Sequence, residues 1–237
     1  YGILIPMLGR VSTRCRGRLP VKIESLTRAS LACGGAVTCR RHWNIMSIWC
    51  AALTPQVSSY IIPDHRLSPP VFWALLTGCN CLSYSRLSDW VGRDRRIKVQ
   101  QTDGFSVLKA ILPPREKRAL VMIDPPYELK TDYGTAISAL EVGCKKFATG
   151  VYALWYPLLD RDDVSAFVER LKIMSVKSLL VEFPVQSLTG EGMRGSGMFI
   201  VNPPWTLQQQ LENCLPYLQA ALAESGAPLW SMRSHGE

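Results

Sequence analysis

No apolar run in the 237 residues reaches the eighteen or so that a membrane span needs. The longest ambiguous stretch, Ile45–Leu53, is interrupted by Ser47, so no membrane partner is expected. Histidine is scarce. His42, His65 and His235 have no nucleophile or carboxylate at a recognisable spacing, which leaves a hydrolase triad unsupported. Cys79-x-Cys81 and Cys39-x-x-His42 lack the second pair that a zinc site requires, so no metal is expected. The eight cysteines read as reduced, non-catalytic thiols of a cytoplasmic protein. The chain opens on Tyr1 rather than methionine, and Tyr1–Leu8 is too short for a signal peptide; the expectation is a fragment or a processed chain. With 47% hydrophobic and 19% charged residues, disorder throughout is excluded. The length suits one α/β domain with a sizeable core, or two small ones.

Acidic residues are nearly missing from the first part of the chain. Residues 1–93 hold 11 Lys+Arg against 3 Asp+Glu, whereas residues 94–237 hold 16 of each. The whole formal charge of +8 therefore sits before residue 94. Six of the eight cysteines lie there too, and arginine outnumbers lysine ten to one. Prolines at 6, 20, 55, 63, 69 and 70 interrupt every candidate element of this part. Leu19–Leu31 has no clean helical stripe, and Trp43–Leu53 and Val71–Leu76 are apolar on all sides. Residues 1–93 thus form an anomalous segment without an assignable fold.

From residue 94 the pattern is ordered α/β. Strands are expected at Ile97–Gln100, Ala119–Ile123, Gly150–Trp155, Ser178–Phe183 and Met198–Val201. Helical turns are expected at Phe105–Ile111, and helices at Thr135–Phe147, from an Asp160 cap to Met174, and from Thr206 to about Ala223. Ser187–Gly197, with four glycines, reads as a mobile loop joining two antiparallel edge strands. Strand–helix alternation at this spacing implies a mostly parallel sheet covered on both faces. Ligands of such sheets sit at the carboxyl ends of the strands, where Asp103 and Asp124 both fall.

The sharpest local signal is the buried strand Leu120–Ile123 running into Asp124-Pro125-Pro126-Tyr127. Two prolines fix φ and remove two backbone donors, so the turn offers carbonyls without competing N–H groups. Asp124 and a proline carbonyl can both accept from one NH₂ group, and Tyr127 can offer a face for a stacked base. Two acceptors draw the delocalised nitrogen of a planar amine toward a tetrahedral, nucleophilic form that can attack an activated methyl carbon. The plainer reading is a strand-terminating turn. Asp103-Gly104 is a second candidate: a carboxylate to accept from a cofactor's adenine, and a glycine to let the backbone come close, or else an ordinary turn. Asn202-Pro203-Pro204-Trp205 imitates the first motif; it reads better as a helix start with Trp205 packed in the core.

Residues 94–226 closely resemble the bacterial 23S ribosomal RNA adenine-N6 methyltransferases of the RlmJ type. The likeness rests on Thr102–Phe105, Ile123–Tyr127, Lys130–Tyr133, Phe147–Gly150, Tyr152–Pro157, Gly195–Met198 and Asn202–Trp205. It implies a Rossmann-like methyltransferase domain, S-adenosylmethionine as methyl donor, and methylation of adenine N6 (adenine 2030 in the family) in protein-free 23S ribosomal RNA. It implies Asp124 as the catalytic acidic residue, also in contact with the donor, Pro125, Pro126 and Tyr127 on the substrate, and Asp103 and Gly104 on the cofactor. A DNA adenine-N6 methyltransferase shares the same Asp-Pro-Pro-Tyr chemistry. Nothing in the residues bears on oligomeric state.

The family's His-rich start, its Asp-Thr-His-Ala-Gly-Ala-Gly strand end and its Glu-Leu-x-Pro segment are absent from residues 1–93. Read one nucleotide earlier with suitable synonymous codons, Leu4–Val11 yields Asp-Thr-His-Ala-Gly-Ala-Gly, and Tyr60–Ser68 yields Tyr-Tyr-Pro-Gly-Ser-Pro-Leu-Ile. The segment therefore looks like an out-of-frame translation that returns to frame near Trp90–Arg93. On that basis the +8 charge is an artefact, and the literal chain is alternatively a non-enzymatic fragment that cannot grip its methyl donor.

Overall fold

The computed structural model describes residues 2–6, 74–77, 97–115, 117–188 and 190–236. The cysteine pairs before residue 94, the Leu19–Leu31 and Trp43–Leu53 runs and the Trp90–Arg93 boundary lie outside the described residues. Among the described residues, eight strands form one sheet: β1 Gly2–Pro6, β2 Ala74–Thr77, β3 Ile97–Gln100, β4 Leu120–Asp124, β5 Val151–Leu158, β6 Ser178–Pro184, β7 Gly195–Val201 and β8 Ser231–His235. Their spatial order is β3-β2-β1-β4-β5-β7-β6-β8. Four helices connect them: α1 Gly104–Ile111, α2 Lys130–Lys146, α3 Asp162–Lys172 and α4 Leu207–Leu222. This is a Rossmann-like α/β architecture. No described helix is long and apolar enough to cross a membrane.

Strand direction departs from the expected mostly parallel sheet. β2 pairs with β3, and β4 with β5, in parallel; the other five pairings are antiparallel. β2 to β6 nonetheless all point the same way. β1 and β7 are reversed strands inserted between them, and β8 is a reversed strand on the rim. Two short pieces of residues 1–93 thus enter the sheet, as β1 and β2, although their periodicity gives no sign of it.

Local signals account for most boundaries. α1 starts where the Asp103 carboxylate accepts from the Phe105 and Ser106 N–H groups. α2 starts five residues before the expected Thr135. Asp132, three residues into the turn, accepts from the Leu129 N–H at 3.2 Å and supplies the missing cap, while Gly134 masks the helical pattern. Contrary to the sequence expectation, Asp160 does not cap α3, whose N-cap is Arg161. Its carboxylate instead accepts from the Gly190 N–H at 3.1 Å and ties down the glycine-rich connection. The inner face of α3 is Val164, Phe167, Val168 and Leu171, as its spacing predicts. β7 begins inside that glycine-rich stretch: Gly197 lies opposite Tyr156, and a Cβ there would run into the Tyr156 ring.

The core lies along β4–β7. Val121, Ile123, Tyr152, Leu154, Tyr156, Val181, Phe199 and Ile200 are fully buried. The Tyr152 hydroxyl donates to the Gly143 and Phe147 carbonyls at 2.7 and 2.8 Å, which clamps the end of α2 onto β5.

Candidate functional site

β4 delivers a carboxylate from the core to the rim. Leu120–Ile123 are buried and Asp124, the last residue of the strand, is half-exposed. Pro125 is buried behind it, and Pro126 is exposed. Because β3 and β4 run the same way, Asp103 and Asp124 both stand at the carboxyl edge of the sheet. Three strand spacings separate their strands, about 14 Å.

Asp103 is exposed, and it is first of all a helix cap. Its carboxylate accepts from Phe105 N at 3.3 Å, Ser106 N at 2.9 Å and the Ser106 hydroxyl at 2.5 Å. Partial burial pushes its pKa up, but the Ser106 hydroxyl and the two backbone N–H groups outweigh that and hold it below the ordinary aspartate value. A carboxylate has about four lone-pair sites, so acceptor capacity remains for a ligand. Gly104 is buried at the first position of α1. Replacing Asp103 with alanine is expected to cost about 1 kcal/mol at neutral pH. Since the folded pKa is lowered, this stability is present above about pH 4 and is lost as pH falls through the folded value. Parent and variant denaturation midpoints should therefore converge in acid. Asp103→Ser restores the cap without the charge, so it separates capping from any cofactor contact.

Tyr127 is placed differently from the sequence expectation of an open stacking face. It has a positive φ of 56° and is only 5% exposed. Its hydroxyl donates to the Trp155 carbonyl at 2.6 Å. Its ring packs on Tyr133 at 4.6 Å, Trp155 at 6.0 Å and Phe167 at 6.1 Å between centroids. The left-handed turn carries the ring inward, beneath the Asp-Pro-Pro segment. Burial, then the nearby Asp124 charge, pushes the Tyr127 phenol well above its ordinary value. Burial also lifts Tyr133 to about 12. The Tyr133 hydroxyl is buried without a hydrogen-bond partner among the described residues, and it adds a donor beside the turn. Sequence reading gives Asp132, Tyr133 and Phe167 no role in this site; the signals for them are the Lys130–Tyr133 piece of the family likeness and the place of Phe167 on the inner face of α3.

Asn202 stands at the other edge. β7 is antiparallel to β5, so its last residue, Val201, pairs with Tyr152 near the start of β5. The Asn202 amide donates to the Ala148 and Gly150 carbonyls, both at 2.7 Å, and φ is 51°. The motif's likeness to the Asp124 turn is therefore structural, not catalytic. Trp205 is not packed in the core as expected: it is 77% exposed, because the turn leads it off the sheet before α4 begins.

A family model described as Ribosomal RNA large subunit methyltransferase D, RlmJ, matches residues 75–233, so the likeness begins before the expected residue 94 and ends after the expected residue 226. The chain is 41% identical over 161 residues to the Ribosomal RNA large subunit methyltransferase J of Haemophilus influenzae, covering 67% of this chain and 57% of that protein. It is 42% identical over 153 residues to the protein of the same name from Escherichia coli, covering 64% and 55%. The chain thus spans little more than half the length of these relatives. The crystal structure of protein LPL1258 from Legionella pneumophila superposes with a TM-score of 0.64 at 32% identity, covering 69% of this chain and 61% of that one.

Proposed function

Since the chain belongs to the family of ribosomal RNA large subunit methyltransferase J, we propose that its site methylates the N6 amine of an adenine in 23S ribosomal RNA, with S-adenosylmethionine as donor. One observation carries this reading: Asp124 ends a buried strand at the carboxyl edge of the sheet and is followed by two prolines. S-adenosylmethionine, when bound, supplies an electrophilic methyl carbon. The residues present fit it on one side. Asp103 keeps acceptor capacity at the α1 terminus, and the buried Tyr133 hydroxyl offers an unmet donor. Asp124 and the Pro125 carbonyl accept the two hydrogens of the target amine and direct its lone pair outward. Tyr127 acts as a positioning residue, holding the turn through Trp155. Incorporation of a labelled methyl group into protein-free 23S ribosomal RNA, with duplex DNA as comparison, tests the reading. Transfer to DNA alone would identify a DNA adenine methyltransferase instead.

A second reading concerns the literal chain and rests on β1. Gly2 pairs with Asp124, and β1 then runs away from it, so the chain after Pro6 leaves at the edge opposite Asp124. A donor-gripping glycine turn after β1 would have to leave at the Asp124 edge. The shifted-frame reading of the residues before the family match at 75 accounts for both the missing turn and the reversed strand. An independent read of the source DNA across codons 1–95 tests it: an inserted or deleted base within that span supports the frameshift, and a confirmed frame overturns it. For this chain, S-adenosylmethionine raises the melting temperature if the donor site is whole, and leaves it unmoved if the chain is a non-enzymatic fragment.

A further inference from the structure

The sheet edge opposite Asp124 gathers positive charge from connections that are distant in sequence. Arg115 and Lys117 lie in the loop leading into β4, whose last residue Ala119 accepts from Val151 N at 3.1 Å. Lys145 and Lys146 end α2 just before β5, and the Lys146 ammonium donates to the Lys109 carbonyl at 2.6 Å. Lys177 precedes β6, and its carbonyl accepts from Asn202 N at 2.9 Å. Asn202 in turn holds Ala148 and Gly150 through its side-chain amide, so its backbone and side chain together tie the connection before β6 to the one before β5. Trp205 stands three residues further on. All five cations are exposed, and the described ion pairs, Arg161–Asp163 and Lys172–Glu169, use none of them.

Cations in the last turn of a helix complement its dipole, which explains Lys145 and Lys146. It does not explain Arg115, Lys117 and Lys177, which belong to no helix. Among the described residues the Asp124 edge has the contrary balance: Asp103, Glu128, Asp160, Asp162 and Asp163 stand there with Asp124, against Lys130, Arg161 and Arg194. A polyanion is repelled at the edge that presents the proposed catalytic group and attracted at the other.

We propose that this basic edge, Arg115, Lys117, Lys145, Lys146 and Lys177 around the exposed Trp205, is a second RNA-binding surface, which holds a single-stranded segment by its phosphates with one base stacked on the indole. Phosphate contacts at spaced cations plus an exposed ring among them is the pattern of single-strand recognition. The eight residues of β5 span about 26 Å between the two edges, a distance that a folded RNA bridges. The inference rests on the proposed function only for the identity of the polyanion.

The test is binding of the full chain to a fluorescein-labelled single-stranded RNA, without methyl donor, over a series of salt concentrations. Three neutralised contacts (Arg115→Gln, Lys117→Gln, Lys177→Gln) are expected to lower affinity at least about tenfold and to flatten the slope of log K against log salt by about 2. Trp205→Ala is expected to weaken binding about tenfold and Trp205→Phe much less. All four sites are exposed, and circular dichroism is the check that each variant folds. Affinities of the triple variant and Trp205→Ala within twofold of the parent overturn the proposal. So does a parent that binds anionic phosphatidylglycerol vesicles but no RNA. Failure of the proposed methyl transfer is read separately, as absence of label in RNA, and leaves this binding result intact.

Discussion

Methyl transfer to protein-free 23S ribosomal RNA is expected to fall at least about a hundredfold when Asp124 is replaced by alanine. The side chain is half-exposed at the end of β4, with Ile123 and Pro125 buried on either side of it. The strand is held by β5 on one side, so removing the carboxylate leaves the hydrophobic anchor of the turn in place. The far-UV spectrum should therefore be unchanged while activity is lost. Asparagine keeps one acceptor oxygen without the charge, and its loss should be smaller, about tenfold. More than a few per cent of parent activity in Asp124→Ala would end the assignment of Asp124 as the group that receives the target amine.

The largest effect on stability is expected at Tyr127. Its ring contributes to an aromatic cluster with Tyr133, Trp155 and Phe167, and the latter packs in turn on Tyr156. Truncation to alanine removes a buried aromatic from a site with little freedom to collapse, which costs about 3–5 kcal/mol. Phenylalanine keeps the ring and loses only the hydrogen bond to Trp155, which costs about 1 kcal/mol. Urea midpoints of the two variants check this order. If Tyr127→Ala proved as stable as Tyr127→Phe, the ring would not be a core element, and the open stacking face expected from sequence would regain its place. RNA affinity measured on the folded Tyr127→Phe variant should match the parent, since the hydroxyl faces β5 and not the substrate.

Tyr127 and Trp205 show where sequence reading stops. Each follows two prolines after a strand, and each ends opposite to its expected environment: the tyrosine in the core, the tryptophan in solvent. Proline spacing fixes that a turn occurs; the positive φ of Tyr127, and the direction of the strand before Asn202, decide where the turn leads. Asp124 was legible because an apolar strand ending in an acid is a statement about one strand alone. The reversal of β7 was not, because it depends on pairing with β5 and β6 together. The helical turns of α1 are legible in Phe105–Ile111, but Asp103 reads in sequence as a turn or a cofactor contact and not as the cap it forms. The start of α2 was not legible, because its cap comes from Asp132 inside the helix while Leu129 occupies the capping position. β8 had no periodic signal in Ser231–His235, which is polar at most positions and gains its form from β6 alone.

That last strand has a consequence for solubility. β6 reads Ser-Leu-Leu-Val-Glu-Phe-Pro, a short β-prone segment with one charge. Without β8 its outer backbone groups would be a bare template for pairing with another copy of the chain. β8 satisfies that edge and presents Arg233 in the middle of the new rim, a charge that discourages a further strand from adding. The five residues of β8 thus act as a selvedge on the sheet, and a chain lacking them is one that would self-associate through β6.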